Sequence, residues 1–321
     1  MPDTAEMIEA FDARAKRRDF FKSVVGAAVV GAGGFAFANA AQAQAGPTDA
    51  DVLNFALNLE YLEAQFYSFA FFGTGLANSD LTGTGVRGEV RGGRQVAFSD
   101  PIVRQYAREI AQDEIAHVKF LRTALGAATV AQPAIDIRGG AGGPFAAAAV
   151  AAGVPNGANF DPYADDNSFL LGAYIFEDVG VTAYKGASPL LTNNAFIDAA
   201  AGILAVEAFH AGIVRGSLYA RSVAAPALRT NADLISNARD SLDGATDLDQ
   251  GISPVATALT TSAGTTTALA SNFVPTDASG IVFSRTTGQV LNIVYLTRAA
   301  ATAGGFFPVG VNGPIRSSAA N

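Results

Sequence analysis

Two tetrapeptides of the same pattern, Glu114-Ile115-Ala116-His117 and Glu207-Ala208-Phe209-His210, contain the only two histidines of this 321-residue chain. In each, the glutamate precedes the histidine by three residues, so both side chains lie on one face if the segment is helical. Two such helices supply half of a dimetal site in a four-helix bundle, and two other helices each supply one more glutamate. We therefore expect two further buried carboxylates elsewhere in the chain.

The repeated Glu-x-x-His spacing is not readily explained by chance. The chain contains nine glutamates, so two randomly placed histidines would both follow a glutamate by three residues in about one sequence in a thousand, and this spacing is the one found in dimetal bundles. The alternative is a pair of core histidines, each hydrogen-bonded to a neighbouring carboxylate. That alternative is less favoured because buried charge needs strong compensation, which a metal ion supplies.

Composition limits the chemistry that the chain can carry. Half of its residues are apolar, which suffices for a large core. Because the chain has no cysteine, disulfides, iron–sulfur clusters and thiolate zinc sites are excluded. Any metal must be held by oxygen and imidazole nitrogen, which suit iron, manganese and zinc. The net charge of −8 argues against a nucleic-acid partner.

Residues 1–45 have the pattern of an export signal. The segment Lys16-Arg17-Arg18-Asp19-Phe20-Phe21-Lys22 resembles a twin-arginine motif, and a short apolar stretch follows it at residues 23–41. Small residues at positions 41–45 provide cleavage sites, which predicts a periplasmic or extracellular protein. An uncleaved membrane anchor is less favoured because the stretch is short and rich in glycine. We expect no stable membrane insertion after cleavage.

Four helices are predicted from apolar periodicity and from short polar residues that can cap a helix start. The loop at residues 73–100 is rich in glycine, and residues 126–165 read as a long crossover that could hold a short helix at residues 145–152. Residues 46–220 would then form an all-α four-helix bundle, followed by an irregular C-terminal extension at residues 221–321. The predicted helices run from a start near residues 48–51 to Phe72, from Pro101 to Leu125, from Phe169 to Lys185, and from a start near residues 192–194 to Tyr219.

The two halves of the predicted bundle repeat one order of residues. Glu60 in the first helix is followed seven residues later by Tyr67, and Glu177 in the third helix is followed seven residues later by Tyr184. Seven residues are two helical turns, so each tyrosine shares the face of its glutamate. This duplication favours Glu60 over Glu63 as a metal ligand, because the residue equivalent to Glu63 in the third helix is a glycine.

The same comparison selects residues in the second and fourth helices. Asp113 lies four residues before His117, but its equivalent before His210 is Val206. Glu114 and Glu207 are therefore preferred as ligands. Asp113 and the two other acidic neighbours, Glu63 and Asp178, are expected to lie beside the site or in solvent.

The predicted site balances its charge, because four carboxylates carry −4 and two divalent ions, iron or manganese, carry +4. Without metal ions the four carboxylates would repel one another, and this repulsion would raise their pKa values. Tyr67 and Tyr184 are expected to donate hydrogen bonds to the carboxylates, although plain core tyrosines have almost equal support. The predicted ligands are Glu60 and Glu177 as terminal carboxylates, Glu114 and Glu207 as bridging carboxylates, and one nitrogen each from His117 and His210.

With this order of residues, the chain resembles the ferritin-like superfamily. More narrowly, the segment from Leu53 to Tyr67 resembles the exported ferritin-like domain of desiccation-related proteins. Segments at residues 240–250, 286–295 and 304–308 resemble the same family, so the resemblance covers roughly residues 48–310. It implies the bundle fold and the metal site. It says less about activity, because related bundles store iron, break down peroxide or have no assigned role.

The C-terminal extension is rich in alanine, threonine and serine and has no glutamate. Asp243, Asp247 and Asp249 could suggest a calcium loop, but their spacing differs from the EF-hand pattern, and helix caps and turns explain them better. A short helix is predicted from Gln289 to Ala300, with a threonine cap. We expect this extension to pack on the bundle rather than to form a second catalytic domain.

Three functions fit these features. The first is a dimetal oxidoreductase that acts on hydrogen peroxide or oxygen, in the manner of a catalase or a peroxidase. The second is iron handling by a ferroxidase without storage. The third is a structural or stress-protection protein whose metals stabilise the fold without turnover. A homo-oligomer is compatible with all three.

Overall fold

A computed structural model describes residues 46–321. The predicted export signal, residues 1–45, lies outside the described residues. The chain divides into two units, Met1–Gly46 and Pro47–Asn321, and every element below belongs to the second unit.

Four long helices form the bundle, and each starts at a short polar cap whose side chain accepts a backbone N–H of the first turn. The first helix ends at Gly73, whose φ of 75° lies in the left-handed region that favours glycine. The prediction of an all-α ferritin-like bundle is confirmed. The helices are α1 (Asp49–Phe72), α2 (Pro101–Leu125), α4 (Asp166–Ala187) and α5 (Asn194–Arg221), with α3 (Pro144–Ala151) in the crossover.

The four helices close a ring in which α1 packs along α2 and α4 packs along α5. Contacts between α1 and α4, and between α2 and α5, complete the ring. Helices α1 and α4 are buried along most of their length, which explains why their sequences are apolar on nearly all sides. Helix α2 buries one face only, which includes Glu114 and His117, and carries most of its other charged residues on the exposed side.

The loops contain more regular structure than predicted. The glycine-rich loop forms a strand, β1 (Val90–Gly92), which pairs in parallel with β2 (Ile135–Ile137) in the crossover. Sequence periodicity does not reveal strands of three residues, because the pairing depends on two distant segments meeting. The predicted helix at residues 145–152 is present within one residue of its expected bounds.

The C-terminal extension contains two helices and a hairpin. Helix α6 (Ala227–Asp243) and the antiparallel strands β3 (Val255–Thr261) and β4 (Gly264–Ala270) were not predicted. Helix α7 (Thr287–Tyr295) begins at the expected threonine cap. Its predicted end at residue 300 is wrong, because Leu296 adopts a left-handed φ of 55° that stops the helix.

Buried arginines join the extension to the bundle. Arg239 on α6 contacts Asp178 on α4 at 2.8 Å and Asp249 at 2.6 Å. Arg285 contacts Asp249 from its other side at 2.9 Å, and Arg215 contacts Asp178 at 2.8 Å. Asp249 is therefore an ion-pair partner rather than a turn residue. Such buried pairs need every charge matched, and with the Arg285–Asp243 pair at 2.5 Å the group balances three arginines with three aspartates.

Candidate metal centre

The structure brings all six predicted ligands together inside the bundle. Each is at least nine-tenths buried, and each comes from the helix to which the sequence assigned it. In α2 and α5 the glutamate and the histidine are three residues apart and therefore share one face of the helix. This face is buried inside the bundle. The six are Glu60 on α1, Glu114 and His117 on α2, Glu177 on α4, and Glu207 and His210 on α5.

A first group of donor atoms surrounds the ring of His117. Its Nδ1 atom lies 3.1 Å from Glu60 Oε2, 3.5 Å from Glu114 Oε2 and 3.7 Å from Glu207 Oε1. One atom from each of these four residues lies within 4.8 Å of the others. This set could hold a metal ion.

A second group surrounds the ring of His210. Its Nδ1 atom lies 3.1 Å from Glu114 Oε1 and 3.6 Å from Glu177 Oε2. The two histidine rings are 6.4 Å apart. Glu114 therefore turns one oxygen to each histidine, which is the arrangement of a carboxylate that bridges two ions.

The donor set fits metal ions by two tests. Ligand bonds of about 2.1 Å at right angles place neighbouring donor atoms about 3 Å apart, and the shortest nitrogen–oxygen distance in each group is 3.1 Å. Buried polar atoms also need partners, yet several buried atoms here have no hydrogen-bond partner within residues 46–321. These are both carboxylate oxygens of Glu114 and Glu207, Glu177 Oε2 and His210 Nδ1.

Each of the two predicted tyrosines forms a hydrogen bond with a carboxylate in the opposite half of the bundle. Tyr67 on α1 donates a hydrogen bond to Glu177 on α4, and Tyr184 on α4 donates one to Glu60 on α1. Each tyrosine thus orients the terminal carboxylate of the opposite half rather than of its own helix. The sequence placed each hydroxyl near the site but could not show which carboxylate receives it.

A carboxylate outside the donor groups orients one histidine. Asp113 Oδ2 lies 3.2 Å from His210 Nε2, on the side of the ring that faces away from the centre. A carboxylate in this position fixes the tautomer and the direction of a histidine ligand. The sequence equivalent on the other half is Val206, so the two groups are not equivalent.

Two acidic neighbours have other surroundings. Asp178 is paired with buried arginines and is not part of either donor group. Glu63 is buried beside a void of about 20 Å³ that Gly180 also lines. Gly180 is needed for space, because a Cβ atom at this position would lie 2.1 Å from Glu207 Oε2. A glycine inside an otherwise apolar helix was the sequence signal for this close approach.

Burial and mutual repulsion shift the protonation of the metal-free centre. Burial raises the pKa of Glu60 to about 7 and that of Glu177 to about 8. Burial opposes the protonation of His117, but the charges of Glu60 and Glu114 raise its pKa to about 11. Burial also opposes the protonation of His210, but the carboxylate of Asp113, which accepts a hydrogen bond from the ring, and the nearby carboxylate of Glu114 raise its pKa to about 10. The metal-free centre therefore holds protons that metal ions must displace.

Metal affinity is expected to increase with pH. At pH 6 both Glu60 and Glu177 are protonated in the metal-free protein, whereas at pH 8 Glu60 has lost its proton and Glu177 is half ionised. Ligands bind metal only when deprotonated, so the affinity for Mn²⁺ should rise at least about 100-fold from pH 6 to pH 8. Competition with a chelator of known affinity at each pH measures this change. An affinity that does not change with pH would contradict the proposed protonation.

The crossed tyrosines are expected to strengthen metal binding. Tyr184→Phe removes the donor to Glu60 and leaves the ring in place, so the affinity for Mn²⁺ should fall about 10- to 100-fold. Tyr219→Phe, at a half-buried tyrosine near the end of α5, is the matched control and should bind normally. Equal affinity in the two variants would show that the hydroxyl of Tyr184 has only a packing role.

Comparisons with known proteins place this arrangement in a family. Residues 48–220 match a ferritin-like domain model. The chain is similar to ferritin-like catalase Nec2 of Nesocodon mauritianus, with 30% identity over 83% of this chain and 84% of that protein. It is also similar to desiccation-related protein PCC13-62 of Craterostigma plantagineum, with 34% identity over 54% of each chain. No solved structure matches.

These matches agree with the fold and with the buried Glu/His cluster. The helices that carry the six residues all lie within the matched segment. The chain belongs to the ferritin-like domain family and is a metal-binding, desiccation-related member of it.

Proposed function

We propose that this protein is an exported dimetal oxidoreductase that converts hydrogen peroxide to water and oxygen. The observation that carries the proposal is the pair of histidine groups that share Glu114. The similarity to a protein named a ferritin-like catalase, which extends over most of both chains, supports it.

The six residues would hold two manganese or iron ions, with Glu114 shared by the His117 group and the His210 group. When bound, the ions supply the two-electron redox change that the reaction needs. One peroxide accepts two electrons and two protons and becomes two waters, and a second peroxide gives up two electrons and two protons and becomes oxygen. The reaction therefore balances without another reductant.

The chain's own residues would orient the donors and exclude bulk water. Tyr67 and Tyr184 hold the terminal carboxylates, and Asp113 holds the His210 ring. The centre lies among buried apolar side chains of α1 and α4, which strengthens the electrostatic interactions of its charged groups. A centre that is almost closed to solvent suits a small oxidant such as peroxide or oxygen better than a bulky substrate.

Two other functions retain specific support. The Glu/His ligand set also suits a ferroxidase that oxidises ferrous iron, because iron and manganese accept the same donors. A stress-protection protein without turnover is supported by the similarity to a desiccation-related protein. In that case the metals would act by removing repulsion among buried carboxylates.

Oxygen evolution from hydrogen peroxide by the metal-loaded protein tests the proposal. We expect turnover with manganese or iron bound and no turnover in His117→Ala or Glu207→Ala. Arg108→Ala, at an exposed residue of α2, should remain active. Ferrous oxidation without oxygen evolution would instead assign iron handling. Unfolding on metal removal, with neither activity, would assign a structural role.

Export is proposed from the twin-arginine pattern of residues 16–22. We infer that the mature protein acts in the periplasm or outside the cell. Replacing Arg17 and Arg18 with lysine should retain the protein in the cytoplasm, and fractionation of cells measures this. Unchanged export would contradict the proposed signal.

A further inference from the structure

A further buried carboxylate, that of Glu63, belongs to the face of α1 that carries Glu60 and Tyr67. Glu63 follows Glu60 by three residues and precedes Tyr67 by four, and residues at these spacings share one face of a helix. Glu60 Oε2 lies 3.1 Å from Nδ1 of His117. Tyr67 donates a hydrogen bond to Glu177. Along α1, Glu63 therefore lies between a ligand of the first donor group and the tyrosine that orients a ligand of the second.

Glu63 is close enough to the other carboxylates of the centre to be affected by their charges. Burial, and after it the charges of Glu114 and Glu177, raises the pKa of Glu63 well above its usual value. The charge of Glu63 in turn raises the pKa of Glu207, after the larger effects of burial and of Glu114. In the metal-free protein, Glu63 thus repels carboxylates from both halves of the bundle.

No protein group of the described residues is paired with this carboxylate. Glu63 is only 6% exposed, and within residues 46–321 its carboxylate has no hydrogen-bond or ion-pair partner. Asp178, by contrast, is paired with the buried Arg215 and Arg239. A buried charge needs a compensating partner. Histidine binds metal as a neutral ligand, so in the loaded protein the ions themselves supply the positive charge that compensates Glu63.

The surroundings of Glu63 are apolar and screen its charge little. The void of about 20 Å³ beside it is lined mainly by apolar side chains of α1 and α4, together with Ile293 and Val294 of α7. Both of these α7 residues are buried. The C-terminal extension therefore helps to keep bulk water away from Glu63. Away from water a charge acts more strongly on its neighbours than it does at the protein surface.

The second half of the bundle has no equivalent carboxylate. The position that corresponds to Glu63 in α4 is Gly180, three residues after Glu177. A Cβ atom at Gly180 would lie 2.1 Å from Glu207 Oε2, so a larger residue fits there only if that carboxylate moves. The duplication is therefore broken in one direction, and Glu63 adds a single carboxylate to the four that the two halves share.

We propose that Glu63 is a charged residue beside the metal ions, rather than a ligand, and that it stabilises the oxidised form of the metal pair. Four ligand carboxylates carry −4 and match two divalent ions. Each electron that leaves the pair adds one positive charge, and the carboxylate of Glu63 offsets one such charge. The reduction potential of the pair is therefore lower with Glu63 than without it. This inference rests on the proposed function, in which hydrogen peroxide takes up the two electrons that the pair releases.

An anaerobic redox titration of the iron-loaded protein, followed by the absorption of ferric iron, tests the proposal. Glu63→Gln removes the charge and nearly preserves the shape of the side chain. We expect the equilibrium to shift at least about tenfold towards the reduced pair, which is a rise of about 59 mV for a one-electron step. Glu63→Met, which is also uncharged and similar in size, should give the same rise. Glu63→Asp retains the charge and should stay near the wild-type potential.

An exposed glutamate provides the matched control. Glu109→Gln, on the outer face of α2, removes a carboxylate whose charge is screened by water, so the potential should equal that of the wild type. An unchanged potential in Glu63→Gln, or equal shifts in Glu63→Gln and Glu109→Gln, would overturn the proposal.

The iron content of each variant separates this role from that of a ligand. We expect about two ions per chain in Glu63→Gln, as in the wild type. A folded variant that binds fewer ions would overturn the proposal, because Glu63 would then be a ligand. Thermal melting identifies any loss of folding. A wild-type protein that binds no iron or manganese would overturn the proposed function as well, whereas the change in potential concerns Glu63 alone and requires no turnover of peroxide.

Discussion

Replacing Glu114 with alanine is expected to empty both metal positions. Glu114 is within 3.5 Å of the Nδ1 atom of His117 and 3.1 Å of that of His210, so its loss removes a ligand from both donor groups. Loss of an outer-shell partner alone weakens metal binding about 10- to 100-fold, and loss of a shared carboxylate should exceed this. Metal analysis after dialysis should show about two ions per chain in the wild type and almost none in Glu114→Ala.

Variants at the terminal carboxylates sharpen this prediction. Glu60→Ala should reduce binding mainly in the His117 group, and Glu177→Ala mainly in the His210 group, so each should retain about one ion. Glu109→Ala, on the exposed face of α2, is the matched control and should keep both ions. If Glu114→Ala bound as much metal as Glu109→Ala, the assignment of the centre would be wrong.

Replacing Arg239 with methionine is expected to lower the free energy of unfolding by about 3–5 kcal/mol. Arg239 is buried and contacts Asp178 at 2.8 Å and Asp249 at 2.6 Å, so its removal leaves three buried aspartates with only two arginines and one negative charge unmatched. Breaking a buried ion pair from one side costs about this much, because the remaining charge is uncompensated. Urea denaturation of the metal-loaded protein measures the change.

An exposed arginine provides the control for this measurement. Arg108→Met on α2 should change the free energy of unfolding by less than about 0.5 kcal/mol, because exposed positions contribute little. The metal content of folded Arg239→Met should remain near wild type, because Arg239 contacts no member of the donor groups. Equal stability of the two variants would show that the buried ion pairs of Arg239 do not stabilise the packing of the C-terminal extension on the bundle.

The buried pairs between arginines and aspartates also explain why the packing of the C-terminal extension could be predicted only in part. Asp178 follows Glu177 directly in the sequence, and the sequence predicted that it lies beside the metal site or in solvent. In the structure its carboxylate points to arginines from α5 and α6, which lie 37 and 61 residues further along the chain. Sequence spacing describes faces of one helix, whereas the choice of partner across helices depends on how they pack.

The sequence alone determined the class of fold and the six residues that meet at its centre. Helical periodicity places Glu114 and His117 on one face, and capping residues indicate where each helix begins. The internal duplication favours Glu60 rather than Glu63 as a metal ligand. These features are local, because they depend on residues within two helical turns or on comparing two such segments. They required no knowledge of which helix lies beside which.

Only the tertiary structure decided the contacts between helices. It showed that Tyr67 and Tyr184 bind the carboxylates of opposite halves, that Asp113 orients His210, and that within residues 46–321 one side of α5 is exposed. A helix that is apolar on all sides, as α5 is, reads from sequence as fully buried. Which of its sides meets the bundle and which meets solvent is set by packing against distant segments, and sequence periodicity carries no record of that choice.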